Sequence, residues 1–157
     1  FAANGHTALM YASSIASAQR HKEQLDASLQ KRVAKGKMSQ GTKDALMANV
    51  LVEEESAAAD ADLVITGEGR IDSQTIHGKV PVGVASVAKK YHKPVIGIAG
   101  SLTQDVGVVH QYGIDAVFSV LTRIGSLEEA FQGAYDNIYR ASRNIAATLQ
   151  VGMRSQG

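Results

Sequence analysis

Residues 66–79 hold the side chains in this sequence whose types and spacing could do chemistry. The segment reads TGEGRIDSQTIHGK and contains three glycines, two carboxylates, a guanidinium and an ammonium. Glycines let backbone amides approach an anion, and Arg70 and Lys79 can neutralise a phosphate or a carboxylate. Asp72 or Glu68 could hold Mg²⁺ or accept a hydroxyl proton. These are the groups that phosphoryl transfer needs.

The same segment also fits a purely structural role. Its charges could pair with each other on a surface loop between a strand and a helix, because paired charges also occur where they only stabilise structure. A second turn at a strand end contains Gly97, Gly100 and Ser101 and could present a helix N-terminus to an anion, although we expect a tight turn without a ligand. Composition alone leaves both interpretations of residues 66–79 open.

Several common sites are missing from the sequence. It has no Walker A pattern, no nucleophile elbow and no dinucleotide-binding G-x-G-x-x-G. Its five histidines are scattered without a ligand spacing such as i, i+4, so we expect no metal centre built from histidine. The lack of cysteine excludes disulfides and thiolate metal sites, and it indicates a cytoplasmic location.

Length and charge indicate one globular domain rather than a polyanion-binding protein. The chain has 157 residues, of which 45% are hydrophobic, and this is enough for one buried core. Lysine and arginine total 16 against 15 acidic residues, so no long-range field attracts nucleic acid or an anionic membrane. No apolar run approaches the roughly 20 residues that span a bilayer. We expect neither a nucleic-acid nor a membrane partner.

Alternating strands and helices must position the chemical groups. Apolar runs predict buried strands at residues 7–11, 62–67, 94–100 and 115–120. Helical spacing and caps predict helices at residues 14–36, from 40, at 81–91, at 103–112 and from 126. This order predicts an α/β fold, with a Rossmann-like three-layer αβα arrangement around a mostly parallel sheet of about four strands. The exposed edges of so small a sheet favour a homodimer, including one with exchanged elements.

In such a sheet the ligand site lies beyond the carboxyl ends of the strands. The loops to consider therefore begin at Tyr11, Thr66, Ala99 and Leu121. The loop after Thr66 is the one that carries the chemical groups described above.

Four segments of the second part of the chain resemble a known enzyme family. They are LVITGEGRIDSQTIHGKVPVGVA (63–85), KKYHKPVIGIAGSL (89–102), GIDAVFSVLT (113–122) and AYDNIYRASRNIAATL (134–149). Through them, residues 62–157 are similar to the C-terminal part of bacterial glycerate kinases of the glycerate 2-kinase type. The resemblance implies transfer of the ATP γ-phosphoryl group to a hydroxyl of glycerate with Mg²⁺.

The resemblance also places the motif G-E-G-R-x-D-x-Q-T-x-x-G-K in the active cleft. Carried over residue by residue, it implies three catalytic residues, Arg70, Asp72 and Lys79. It implies that substrate or phosphate is bound by Gly67, Glu68, Gly69, Gln74, Thr75 and Gly78. No metal ligand is assigned to any residue.

The first 65 residues resemble part of a different family. FAANGHTALMY (1–11), KRVAKGKMS (31–39) and ADADLVI (59–65) are similar to the NAD-binding domain of 3-hydroxyacyl-CoA dehydrogenases. Ala12 stands where that family has the acidic residue that binds the ribose, so we expect no nicotinamide binding. The two resemblances meet at residues 61–65, and a shared strand is a place where two Rossmann-like sheets could be fused.

These resemblances lead to three functional hypotheses. The first is an engineered or chimeric α/β scaffold, a single domain with a dehydrogenase-like segment at 1–61 and a kinase-like segment at 62–157. Such a scaffold would carry part of a glycerate kinase cleft without complete catalytic machinery, because phosphoryl transfer needs several segments at once. The second is an active glycerate kinase that uses ATP and Mg²⁺. The third is a module that binds a small anion or a nucleotide at residues 67–79.

Overall fold

The structure, a computed structural model, describes residues 2–155 of the chain. These residues divide into two units, with the boundary between Asp60 and Ala61. Both units contain parallel strands and helices, so the predicted α/β class is confirmed. None of the helices within residues 2–155 has the length and apolar character needed to cross a membrane.

In the first unit, a two-stranded parallel sheet is accompanied by two helices. Strand β1 (Ala8–Met10) pairs with β2 (Val50–Val52). The connection between the strands contains α1 (Ile15–Ala34) and α2 (Gln40–Ala48). A parallel pair needs such a crossover, because a tight hairpin can join only antiparallel strands.

Serine caps start both helices of the first unit. Ser14 Oγ accepts the Ser17 N–H at 3.2 Å, and Ser39 Oγ accepts the Thr42 N–H at 3.1 Å. Each hydroxyl satisfies one of the backbone donors that have no partner inside the first helical turn. The predicted start of α2 near residue 40 is therefore confirmed.

An ion pair joins α2 to α1. The Lys43 side chain is only 9% exposed, and its Nζ lies 2.8 Å from Asp26 Oδ1. Lys43 also donates to Gln30 Oε1 at 2.7 Å. Because burying an unpaired ammonium group is costly, these two contacts allow Lys43 to lie between the helices.

In the second unit, a three-stranded parallel sheet carries most of the segment that the sequence singles out. Its strands run in the order β3 (Val64–Ile71), β4 (Val95–Leu102) and β5 (Ala116–Ser119). Helix α3 (Val80–Lys90) connects the first pair, and a 3₁₀ helix at Val106–Tyr112 connects the second. Because both connections are parallel crossovers, the carboxyl ends of the three strands lie at one edge of the sheet.

The core of the second unit is small and aliphatic. Its most buried members are Val64, Ile71, Ala85, Ala88, Val95, Ala99, Val109 and Ile114. The alanines of α3 allow the helix to pack closely on the sheet. This packing sets the position of the first turn of α3 relative to the end of β3.

Asp115 connects α3 to the start of β4. Its Oδ2 accepts hydrogen bonds from Lys89 Nζ at 2.6 Å and from the Val95 N–H at 2.7 Å. Burial alone would raise the pKa of Asp115. The two hydrogen bonds and the charges of Lys89 and His110 outweigh burial, so the pKa of Asp115 is lowered.

The strands differ from the predicted ones in number and length. The described residues form five strands in two sheets, whereas the sequence predicts about four strands in one sheet. Strand β2 follows α2 after one residue, Asn49, so its three residues continue the apolar pattern of the helix. Strands β3 and β4 extend to Ile71 and Leu102, beyond their predicted ends at residues 67 and 100, so the prediction that ligand loops begin at Thr66 and Ala99 is wrong. The single-domain organisation stays a prediction.

The helices of the second unit also depart from the prediction. Residues 103–112 contain a 3₁₀ helix rather than an α-helix, and it ends at Gly113, whose φ is +92°. The last helix is divided at Gly133 into α4 (Leu127–Gln132) and α5 (Ala134–Arg154). The capping box predicted before it is confirmed, since Ser126 and Glu129 exchange side-chain and backbone hydrogen bonds.

Candidate active site

After β3 the chain makes a compact turn that leads into α3. Asp72 caps a 3₁₀ helix at Ser73–Ile76. Gly78 then turns the chain with a φ of +85°, a conformation that glycine adopts without strain. Lys79 is the N-cap residue of α3, and Pro81 lies in the first turn of that helix. The turn therefore brings Lys79 back toward Asp72.

Asp72 is at the centre of this turn, and we call Arg70, Asp72, Gln74, Thr75 and Lys79 the Asp72 cluster. Arg70 Nε lies 3.1 Å from Asp72 Oδ2, and Lys79 Nζ lies 3.5 Å from Oδ1. Oδ1 also accepts the Gln74 N–H at 3.0 Å and the Thr75 hydroxyl at 3.4 Å. The Asp72 side chain is only 12% exposed, and these partners offset the cost of burying its charge.

Thr75 fixes the backbone of Asp72 as well as its carboxylate. The Asp72 N–H donates to Thr75 Oγ1 at 3.1 Å, and Thr75 is fully buried. The two residues thus form a reciprocal capping box around the first turn of the 3₁₀ helix. A buried hydroxyl that both donates and accepts holds the Asp72 carboxylate in one orientation.

The two cations of the cluster differ from Asp72 in exposure. The Arg70 side chain is 62% exposed and the Lys79 side chain is 35% exposed. Arg70 contacts Asp72 through Nε, so its two terminal nitrogens can donate to a further acceptor. Cations held in this way can bind a phosphate or a carboxylate through charge-assisted hydrogen bonds.

Asp105, a residue that the sequence analysis did not identify, lies beside the cluster. Its Oδ1 accepts a hydrogen bond from Thr103 Oγ1 at 2.5 Å. Hydrogen bonds from Ser73 and Thr103, together with the charge of Arg70, lower the pKa of Asp105. The loop after Ala99 is among the predicted ligand loops, because strand ends meet at one edge of a parallel sheet. The same rule could have drawn attention to Asp105.

Gly67, Glu68 and Gly69, predicted to bind substrate, lie in β3 before the cluster. A Cβ on Gly67 would lie 2.9 Å from the carbonyl oxygen of Ile98. A Cβ on Gly100 would lie 2.5 Å from the carbonyl oxygen of Gly69. Glycine at these positions therefore allows the backbones of β3 and β4 to approach closely, a role that needs no ligand.

Glu68 differs from the other predicted binding residues. Its Oε2 is buried and, within the part of the chain that the structure describes, accepts no hydrogen bond. The Glu68 side chain as a whole is half-buried, so its role in binding substrate stays a prediction. The structure brings five predicted site residues together in the Asp72 cluster and places Gly78 in the adjoining turn.

The cluster offers few ligands to a divalent cation. No group of three or more His, Asp or Glu residues within residues 2–155 is arranged to hold a metal ion. The carboxylate of Asp72 already contacts two positively charged side chains, Arg70 and Lys79, which would repel Mg²⁺. That Asp72 or Glu68 holds Mg²⁺ stays a prediction, and at Asp72 the ion would compete with these two cations.

Comparisons with known proteins agree on one family. The profile of the Glycerate kinase family matches residues 28–150. Glycerate 2-kinase of Escherichia coli (strain K12) is 84% identical over 98 residues, which are 62% of this chain and 26% of the relative. Glycerate kinase of Bacillus subtilis (strain 168) is 56% identical over 100 residues, 64% of this chain and 26% of the relative. The chain thus spans about a quarter of the length of these curated relatives.

A solved structure is similar as well. It is a crystal structure provisionally identified as glycerate kinase 2 from Salmonella typhimurium LT2, with 48% sequence identity. The TM-score is 0.48, and the alignment covers 75% of this chain and 33% of that one.

The family match also concerns the first part of the chain. The sequence analysis assigns residues 28–61 to a dehydrogenase-like segment, whereas the family profile runs through them without a break at residue 62. The comparisons give no support for a chimera or for an NAD-binding part. Because the profile matches well over half of its residues, the chain belongs to the glycerate kinase family.

Proposed function

We propose that the chain provides part of the active site of a glycerate kinase, which transfers the γ-phosphoryl group of ATP to a hydroxyl of glycerate. The observation that carries the proposal is the pairing of one nearly buried carboxylate, Asp72, with two cations, Arg70 and Lys79. Family membership supplies the class of reaction. Both substrates are anions, and their binding requires positive charges held in place.

In this proposal Arg70 and Lys79 contact the substrate anion, and Asp72 is a positioning residue. Phosphoryl transfer spreads negative charge over the oxygens of the transferred group, and cations fixed in advance stabilise that charge. Asp72 fixes them through Oδ2 for Arg70 and Oδ1 for Lys79. Because both oxygens are occupied in this way, we do not assign proton abstraction from glycerate to Asp72.

ATP is a co-substrate in this proposal, and Mg²⁺ would accompany its phosphates. We assign no step to a metal held by the Asp72 cluster, because Asp72 already contacts two cations. About three-quarters of the length of the relatives lies outside this chain, and we expect that part to supply the remaining groups. The use of ATP and the absence of cysteine both suit the cytoplasm, which we propose as the compartment.

An exchange of segments in an active relative tests the proposal. The part of this chain that matches Escherichia coli glycerate 2-kinase, 98 residues at 84% identity, replaces the corresponding part of that enzyme. We expect the exchanged enzyme to release ADP in the presence of ATP, Mg²⁺ and glycerate. Lys79→Gln should then lower kcat/KM by about 100-fold, the usual effect of removing one charge-stabilising group.

Lys90→Gln in the same exchanged enzyme is the matched control. Lys90 is exposed and ends α3, so its charge lies at the opposite end of that helix from Lys79. We expect this variant to keep its activity. An exchanged enzyme that folds but releases no ADP, or equal losses for Lys79→Gln and Lys90→Gln, would contradict the proposal and favour an inert scaffold.

A further inference from the structure

Asp105 precedes the 3₁₀ helix at Val106–Tyr112, but its side chain does not cap that helix. An aspartate in this position normally accepts a hydrogen bond from a backbone N–H of the first helical turn. Within residues 2–155, the Asp105 carboxylate accepts no such bond. Its Oδ1 instead accepts the Thr103 hydroxyl at 2.5 Å, and the residue is exposed. The carboxylate therefore has a role other than helix capping.

The chain after β4 lies beside the turn after β3. The Thr103 N–H donates to the Ile71 carbonyl oxygen at 3.4 Å, which continues the pairing of the two strands by one step. Ser73 follows Asp72 directly and donates its hydroxyl to Asp105. Asp105 thus accepts one hydroxyl from each of the two chain segments. We call these two hydrogen bonds, from Ser73 and from Thr103, the Asp105 link.

The Asp105 link lies next to the more exposed cation of the Asp72 cluster. The charge of Arg70 acts on the Asp105 carboxylate, and Asp72 Oδ2 holds Arg70 Nε at 3.1 Å. Because Asp105 is exposed, solvent weakens the attraction between its charge and Arg70. Hydrogen bonds are directional, so the link fixes the turn that contains Asp72 more firmly than the charge alone would.

We infer that Asp105 is a positioning residue of the candidate active site. By joining Ser73 to Thr103, it holds the turn that contains Asp72, and through Asp72 it holds the Arg70 guanidinium. The inference rests on the proposed function for the reaction that this arrangement serves, whereas the link itself is a feature of the two chain segments. Two other roles compete with it: an effect of the Asp105 charge alone, and a direct hydrogen bond from a hydroxyl of glycerate.

Variants of the exchanged enzyme test the link through ADP release. Asp105→Ala removes the acceptor of both hydroxyls and should lower kcat/KM about tenfold. Asp105→Asn keeps a side-chain oxygen that can accept them, so it should retain most of the activity. Gln104→Ala is the matched control, because Gln104 is exposed in the same turn, and we expect it to leave kcat/KM unchanged.

A double-mutant cycle separates the link from direct contact with substrate. Ser73→Ala should lower kcat/KM to a similar extent as Asp105→Ala. The two substitutions combined should cause no further loss, because each removes the same contact. A residue that contacts glycerate directly would instead add its own loss to that of Ser73→Ala.

Nitrogen-15 NMR of the Arg70 Nε–H in the 157-residue chain gives a readout that does not depend on catalysis. This group contacts Asp72, so its hydrogen should exchange slowly with water while the side chain is held. We expect faster exchange and a shifted signal in Asp105→Ala, and the wild-type signal in Asp105→Asn and Gln104→Ala. Circular dichroism establishes that each variant folds.

Three results would overturn the inference. Equal losses of activity in Asp105→Ala and Asp105→Asn would assign the effect to charge. Additive losses in Ser73→Ala and Asp105→Ala would assign it to separate contacts. An Arg70 signal that Asp105→Ala leaves unchanged would show that Asp105 does not hold the guanidinium.

The outcome can be separated from the fate of the proposed function. An exchanged enzyme without ADP release would refute the kinase activity, and a shifted Arg70 signal in Asp105→Ala would leave the link standing. ADP release at the wild-type rate in Asp105→Ala would refute the positioning role and leave the kinase activity standing.

Discussion

We expect Gly100→Ala to lower the free energy of unfolding, because β3 and β4 approach closely at Gly100. A Cβ on Gly100 would lie 2.5 Å from the carbonyl oxygen of Gly69, whereas an ordinary contact begins at 3.4 Å. The strands would have to separate by about 0.9 Å at this point, the difference between these two distances. Weakening the ladder hydrogen bonds at this point would lower the free energy of unfolding by about 1–3 kcal/mol. Arg70 follows Gly69 directly, so the cluster would move as well.

Gly83→Ala is the matched control, and we expect it to raise the free energy of unfolding rather than lower it. Gly83 lies inside α3, and apart from its own helix backbone no heavy atom of the described residues lies within 4 Å of a Cβ built there. Alanine is favoured over glycine in a helix by about 1 kcal/mol, so this variant should be slightly more stable. Urea unfolding followed by circular dichroism measures both effects. A Gly100→Ala chain as stable as the wild type would refute the close approach of β3 and β4.

Three further substitutions test other parts of the structure. Thr75→Val should lower the free energy of unfolding by about 1–3 kcal/mol, because the buried Asp72 N–H loses its acceptor, and urea unfolding should show a smaller loss for Thr75→Ser. An equal loss in both would assign the effect to packing alone. The lowered pKa of Asp115 means that its carboxylate stabilises the fold above the ordinary value of 3.8 and loses this effect as the pH falls through the folded-state pKa. Stability measured between pH 6 and pH 3 should therefore decline less steeply in Asp115→Asn than in the wild type, and parallel curves would contradict this. Ser126→Ala should cost about 1 kcal/mol through loss of an N-cap, seen as lower helicity or stability, and an unchanged chain would show that the cap contributes nothing.

Local patterns predicted much of the fold. The apolar runs that became β3, β4 and β5 are β-branched and closed by glycine or polar residues, so their positions could be read from sequence. The caps at Ser39 and Ser126 were also predictable, because an N-cap depends on residues three positions apart. Strand β2 was missed, because three apolar residues directly after a helix have the same pattern as another helical turn.

The residues of the candidate site that lie close together in sequence could be predicted. Asp105, which is distant in sequence, was missed. Arg70, Asp72 and Lys79 lie within one turn of chain, so their proximity follows from their spacing. Asp105 reaches Ser73 only through the pairing of β3 with β4, which requires knowledge of the strand order. Gly67 was predicted to bind substrate, because glycine is needed both where two backbones approach closely, as Gly67 approaches Ile98, and in a phosphate-binding turn.

Calorimetric titration with ATP, glycerate and inorganic phosphate tests most directly whether the Asp72 cluster binds an anion. We predict saturable heat at millimolar concentration for at least one of these ligands with the wild-type chain and with Lys90→Gln. That heat should be lost when Arg70→Gln and Lys79→Gln are combined, because the double variant lacks both cations. No saturable heat with the wild type, or the same heat with the double variant, would contradict an anion-binding role for the cluster.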